Sequence, residues 1–502
     1  MPDWPPLPDP LELLEQSTAF DDRPGLKDYA RRWLAAAPQM RARVADEAQM
    51  LATPSWRPRS IAAAARTGAR AARAAAPGLA AEATRRALRT SVKGDNADAI
   101  RSMQEVVKAG GSTFVKLGQF VATAQGLLPD EWVDAFGWCR DSVPPMAPGE
   151  AELRFEEVFD APVLSLLAEF DPAPLGTASI GQVHAAKLFD GTDVVVKIRR
   201  PGLRERFVSD LRAMALAAAA ADRASEAARV ANLPGFVELF AQLVLEEVDF
   251  RFEAINQLEL ALAAESAGQD YLRMPRPIPS LSTEDVFVME RVEGVPYDKA
   301  LAVYPDVIDG QRLLRLAITG VLEHMIAFGV FHGDLHSGNV LINEKGDLSV
   351  IDFGIAGRVD ASQRAATVQF LVGFARNDTK MQLVALRQFG AIPDDADIDA
   401  IAAGIDAELA KLDPAILTRE GTVTVDQLSS LLAVIIRALA TNGFTLPKEL
   451  VLFFKNLLYL NGFAAALSPD TNLLGEIEPI FTYFVSRYPE QLMQIMGNID
   501  LT

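Results

Sequence analysis

The chain has 502 residues, half of them apolar, and a formal net charge of −19 at pH 7. That length holds two to four structural units, the apolar content excludes a disordered chain, and the acidity argues against broad nucleic-acid binding. A single cysteine, Cys139, excludes an internal disulfide framework and suits a reducing cytoplasm, while the four histidines (His184, His324, His332, His336) lack Cys or His partners at zinc spacing.

Residues 1–60 are punctuated by proline and predict short helices or an ordered tail. The start, M-P-D-W-P-P-L-P-D-P, has neither the positive region nor the apolar run of a signal peptide. Residues 57–93 carry eight arginines and one lysine against one acid, Glu82, a local net charge of +8 in an acidic protein. Alanine fills most of the remainder, so the segment predicts helix broken at Pro77 and Gly78. Such a segment suits anionic lipid headgroups. A solvated helix face paired with the protein's own acid explains it as well, and the scarcity of large apolar residues favours that plainer account.

Residues 97–136 read as two helices, the second holding K-L-G-Q at Lys116 to Gln119. A glycine in mid-helix costs up to about 1 kcal/mol relative to alanine, so Gly118 points to close packing. A helix follows over 149–158. Then Gly176, Thr177, Ala178 and Ser179 form a turn of small residues before alternating apolar positions, Asp190 and Gly191 signal a hairpin, and Val194 to Ile198 is a buried strand with one lysine, Lys197. That order resembles the first three strands of a kinase small lobe, where loop backbone covers the phosphates and the lysine grips them.

A long alanine-rich helix is expected over 205–229 and another over 234–260. The second carries Glu246, Glu247, Asp249 and Glu253, with Asp249 and Glu253 four apart on one face. Glu253 is a candidate partner for Lys197; Glu246 and Glu247 compete for that role. Residues 285–294, with Glu290 among them, read as a strand leaving into a linker, where a kinase places its adenine-binding hinge.

An apolar helix pattern, Leu313 to Phe328, feeds the polar loop F-H-G-D-L-H-S-G-N. Asp334 and Asn339 stand five apart, a hairpin turns at Lys345, Gly346 and Asp347, and D-F-G follows at Asp352 to Gly354. Phosphoryl transfer needs this set: one carboxylate near the attacking group, and an Asn and a second Asp to hold Mg²⁺ against the phosphates. No A-P-E follows, and helix resumes at Ala361. The apolar runs at 430–440 and 449–467 are interrupted by Arg437 and Lys455 and read as bundle core, so no membrane span is expected.

Together these motifs resemble the AarF/UbiB family of atypical, protein-kinase-like proteins. K-L-G-Q is similar to its K-x-G-Q signature, Glu247 to Asp249 to its E-x-D motif, Ala178 to His184 to the end of its alanine-rich loop, and His332 to Asn339 to its H-x-D-L-H-P-G-N loop. The resemblance implies an α+β, bilobal protein-kinase-like core with helical N-terminal and C-terminal extensions. It divides the chain into a Pro-rich segment (1–60), a helical extension with K-x-G-Q (61–160), a small lobe with inserted helices (161–292) and a large lobe with a helical C-terminal part (293–502).

It also implies roles. Lys197, held by Glu253, would contact the α and β phosphates of ATP, under the loop Gly176 to Ser179 and with adenine near Glu290. Asn339 and Asp352 would bind Mg²⁺, and Asp334 would sit where the catalytic base sits. Lys116 would pair with Glu247 over the place of a protein substrate, with Gln119 and Asp249 in the same constellation. In the family this favours ATPase or small-molecule work, tied to isoprenoid quinone or lipid metabolism at membranes. The expected alternatives are a protein Ser/Thr kinase and a nucleotide-binding scaffold without turnover. A cytoplasmic location with peripheral contact to anionic lipid through 57–93 completes the expectation. Two residues depart from the family pattern: Gly176 to Ser179 stands where a run of alanines is usual, and Ser337 replaces proline.

Overall fold

A computed structural model describes residues 6–21, 23, 25–55, 65, 69, 97–122, 130–140, 145–224, 232–376, 378–411, 434–435, 438, 447–469 and 476–490. Nearly all of the basic segment 57–93 and most of the run 430–440 lie outside these residues. The elements used below are, in chain order, helices α1 (Leu26–Ala52) and α2 (Ser112–Ala122), then strands β1 (Glu169–Thr177), β2 (Gly181–Lys187) and β3 (Asp193–Arg199). Helices α3 (Leu233–Glu247) and α4 (Phe250–Ser266), strand β4 (Val286–Glu290) and helix α5 (Gly310–Glu323) follow. The last are β5 (Val330–His332), β6 (Val340–Ile342), β7 (Leu348–Val350), β8 (Ala356–Arg358) and helix α6 (Lys448–Leu467).

The chain forms two compact units, one of Met1–Ala37, Glu253–Arg276 and Val292–Thr502, the other of Pro38–Phe252 and Pro277–Arg291. Mixed helices and separate sheets make this an α+β fold of kinase-like type with helical extensions.

The second unit holds an antiparallel sheet in the order β1-β2-β3-β4. Alternation does the work on β3: Val194, Val196 and Ile198 face a core with Phe155, Val286 and Val288, so Lys197 lies on the opposite face. Lys197 is paired in register with Val183 on one side and Phe287 on the other, so its strand is central, not an edge. The edge falls to β1, which holds Pro172 and Pro174 and has an irregular register there, as expected where missing N–H groups cannot serve a ladder. Helix α2 packs tightly in this unit: a Cβ on Gly118 would come within 2.5 Å of Cys139 Sγ and 3.2 Å of Val107.

In the first unit α4 packs Leu260 and Ala263 against Val330, Val350 and Phe353. The N-terminal residues Leu14, Phe20, Leu26, Tyr29 and Leu34 cover Leu258 and Leu262 of the same helix. Strands β6 and β7 form the hairpin, with Gly346 at φ 80° in its turn, where the left-handed backbone suits glycine. Helix α6 is long and apolar enough to cross a membrane by length and composition, and most of it is buried, with Phe463 and Leu467 in a core with Leu313, Leu314 and Ile342.

Three differences from the sequence reading have physical causes. The expected helix over 234–260 is two helices, because Asp249 turns its carboxylate onto the N–H of Arg251 at 3.1 Å and starts α4 anew; Asp249 and Glu253 are therefore a cap and a first-turn residue, not two members of one continuous face. The N-terminal region holds the 27-residue α1 with Pro38 inside it, where short helices were expected. An interior proline costs about 3 kcal/mol, which the burial of Leu34, Ala37, Ala48 and Leu51 offsets. Residues 97–136 form three helices among the described residues (Ala97–Gly110, α2 and Asp130–Phe136); Gly111, at φ 76°, ends the first, and Asp130–Phe136 is separate from α2.

Candidate functional site

Helix α5 runs into a π-helical turn, His324–Phe328, and stops at Gly329, which takes φ 68°. Strand β5 then delivers the loop. His332 Nδ1 accepts the N–H of Asp334 at 3.0 Å, and its Nε2 meets the carbonyl of Asp352, so one imidazole ties the Asp334 loop to D-F-G. Burial pushes His332 down, against the upward pull of that carbonyl and of the two aspartates, which suits a neutral ring donating from Nε2. Asn339 donates its side-chain amide to the carbonyl of Asp334 at 2.9 Å. Its own carbonyl accepts the N–H of Ile351 at 3.1 Å, extending the β6–β7 register by one pair. The hairpin thereby pairs Asn339 with Ile351, the residue before Asp352, whose Oδ1 accepts the N–H of Gly354 at 3.0 Å.

Helix α4 grips D-F-G from one face. Glu253 accepts the N–H of Phe353 at 3.4 Å, Asn256 donates to its carbonyl at 2.8 Å, and Arg358 bridges Asn256 and Glu259. Positions 253, 256 and 259 recur every three residues, the spacing of a helix stripe. Glu253 thus sits on the D-F-G backbone in the first unit, and Lys197 belongs to the second.

Sequence reasoning missed the residues that hold Asp334. Lys455 Nζ and Tyr459 Oη, both from α6, each stand 2.9 Å from Asp334 Oδ1. The Lys455 ammonium lies 5.4 Å from the centre of the Tyr459 ring, and Asn456 donates to the carbonyl of His332. Burial pushes the Asp334 carboxyl up, but the charges of Lys455 and His336 and the hydrogen bonds from Lys455 and Tyr459 outweigh it and hold the group well below the usual carboxylate range. The one signal in the sequence was a lone lysine in the middle of an apolar helix.

In the second unit Lys116 forms an ion pair with Glu247. Three residues on, Gln119 donates to the carbonyl of Cys139 at 2.9 Å and accepts from the hydroxyl of Ser179 at 3.2 Å. The K-L-G-Q helix therefore touches the small-residue turn itself. Gly176 and Thr177 end β1, and Ala178 donates its N–H to the carbonyl of Gly181 at 2.8 Å, closing the turn. Thr113 anchors α2 through Asp210 at 2.8 Å. Burial pushes the Cys139 thiol up to about 11, so it is a packing residue. Asp249 forms a fork with Arg251 at 2.6–3.1 Å. Glu290 is buried at the end of β4, opposite Val194.

The ABC1 atypical kinase-like domain family matches residues 139–385. An uncharacterized aarF domain-containing protein kinase, chloroplastic, of Arabidopsis thaliana is 31% identical over 393 residues, 74% of this chain and 73% of its own. A probable protein kinase UbiB of Azotobacter vinelandii is 30% identical over 394 residues, 78% of this chain and 71% of its own. The solved complex of Rv3197 with erythromycin from Mycobacterium tuberculosis is 21% identical, with a TM-score of 0.45, over 70% of this chain and 91% of that one.

Proposed function

We propose an ATP-binding atypical kinase or ATPase that acts on a small molecule or lipid, on a fixed premise: the chain belongs to the AarF/UbiB family of atypical kinase-like proteins. The observation that carries the proposal is the linkage of Asp334, Asn339 and Asp352 within one unit, through His332 and the β6–β7 hairpin.

The donor set fits magnesium. Asn339 and Asp352 offer hard oxygen atoms, and among the described residues no group of three or more His, Cys, Asp or Glu is placed to hold a metal by itself. Mg²⁺ is commonly held by one or two carboxylates and completed by substrate phosphates, which is what such a sparse set calls for. Bound there, Mg-ATP would supply the phosphoryl group and the charge that offsets its negative oxygens. Asp334 would orient the attacking hydroxyl or water, and Asn339 would keep the Asp334 backbone in place. Lys197 and the turn Gly176 to Ser179 would bind phosphate, with Glu290 at the start of the adenine-binding linker. Lys116, paired to Glu247, and Gln119, bonded to Ser179, brace that turn, which supports a specialised substrate over a generic protein.

Relatives named UbiB support a link to isoprenoid quinone metabolism. A cytoplasmic protein touching anionic lipid through residues 57–93 is part of the same proposal, and co-sedimentation with anionic against neutral liposomes tests it. For the activity, ATP hydrolysis is measured with Mg²⁺, with and without anionic liposomes and a quinone-like phenol. Turnover should fall at least about a hundredfold in Asp352→Asn. Equal rates in the variant and the parent would refute the proposal.

A further inference from the structure

We infer that Lys455 is a positioning residue of the phosphoryl-transfer site: from α6 it fixes the carboxylate of Asp334 so that one oxygen is held and the other is presented to the acceptor. This rests on the phosphotransfer or ATPase reading above. Lys455 and Tyr459 stand four apart on one helix face and both reach Oδ1, at 2.9 Å each. Among the described residues Oδ2 has no hydrogen-bond partner, so it is the oxygen left to take a hydrogen bond from a hydroxyl or water. Asn456, next to Lys455, holds the carbonyl of His332, and a Cβ on Gly333 would lie 3.2 Å from Leu452. The same helix therefore grips the loop at successive residues.

Stability does not explain the lysine. A charge pair on a largely buried helix is often replaced by apolar residues at no loss, because desolvating the charges consumes what their attraction returns. Kinase chemistry does explain it. The transition state is loose, so the catalytic carboxylate serves more by orienting the nucleophile than by strong basicity. Fixing one oxygen of Asp334 from α6 then serves the rate by aiming the other oxygen at the acceptor. The groups facing Asp334 are Lys455 and Tyr459 from α6, His332, His336 and Asn339 from its own loop, and Asp352 through the His332 bridge.

The test is the split between kcat and KM for ATP turnover in the full chain, with Asp352→Asn as the blank. In Lys455→Met kcat should fall about a hundredfold, with KM for ATP changed by less than about twofold. Lys455→Arg should restore most of the rate, and Tyr459→Phe should cost only a fraction of the loss. Should Lys455→Met not fold, Lys455→Gln takes its place, with the same split expected. Unchanged kcat in the neutral variants overturns the inference, as does a loss in Lys455→Arg equal to that in Lys455→Met, or a loss carried by KM for ATP. Absence of turnover in the parent itself, equal to the Asp352→Asn blank, instead overturns the activity on which it rests.

Discussion

Two lysine–carboxylate pairs, one in each unit, look alike and are built in opposite senses. In Lys116–Glu247 the acid is the hidden member, its side chain 5% exposed against 21% for the lysine. In Lys455–Asp334 the lysine is the hidden member, 13% exposed against 23% for the acid. A carboxylate sealed behind its lysine can tie helices together but cannot meet a reactant. A carboxylate backed by a lysine less exposed than itself keeps its outer oxygen for chemistry. The same ion pair thus serves as a fastening in one unit and as a mount in the other, and exposure tells which.

Removing the lysines should separate the two most. Lys116→Met strands a buried anion and should cost about 2–4 kcal/mol in urea or guanidinium unfolding. Lys455→Met leaves an anion that water still reaches and should cost about half as much, its main damage being kinetic. The reverse order of stability losses would undo the comparison.

Acid should then act on the mounted pair's unit first. Burial, with the nearby His332, lowers His324 to about 4. Between the ordinary value near 6.5 and about 4 the unfolded chain takes the proton and the folded chain refuses it, so stability falls as pH falls. The loss reaches at most about 3 kcal/mol. Asp334, held low, adds a loss only below its ordinary value near 4, as the unfolded carboxylate takes its proton. Hydrogen exchange across pH 7 to 4 should show α5 and β5 loosening, and His324→Leu should flatten that part of the curve.

The smallest effect sharpens the fastening side. Gly118→Ala must displace Cys139 Sγ from 2.5 Å and should cost about 1–3 kcal/mol. It should also weaken nucleotide binding through Gln119 and Ser179, whereas Cys139→Ala should ease both effects; binding by calorimetry and unfolding midpoints read the two together.

What the sequence made legible follows from range. Asp334, Asn339 and Asp352 were readable because a loop and a hairpin fix their spacing within twenty residues. The strand holding Lys197 was readable because period-two alternation survives on a sheet with one packed face. The break before α4 was not, since apolar periodicity continues across it while the decisive event is one carboxylate turning onto a backbone N–H. Nor was the role of Lys455, because nothing local marks which side chain a distant helix will meet; the lysine was visible only as an interruption. The length of α1 was hidden by Pro38, whose local cost is outweighed by burial that only the fold supplies.

Helices α1 and α4 each contribute residues to both units, the first changing membership at Pro38 and the second at Glu253. The stretch that matches the domain family, 139–385, leaves out the N-terminal residues seated on Leu258 and Leu262 and all of α6. A chimaera made by transplanting that stretch would carry the recognisable motifs and leave behind the apolar cover of α4 and the hand that holds Asp334. Recombination in this lineage should therefore tolerate crossovers near the chain's ends far better than crossovers at the borders of the conspicuous motifs.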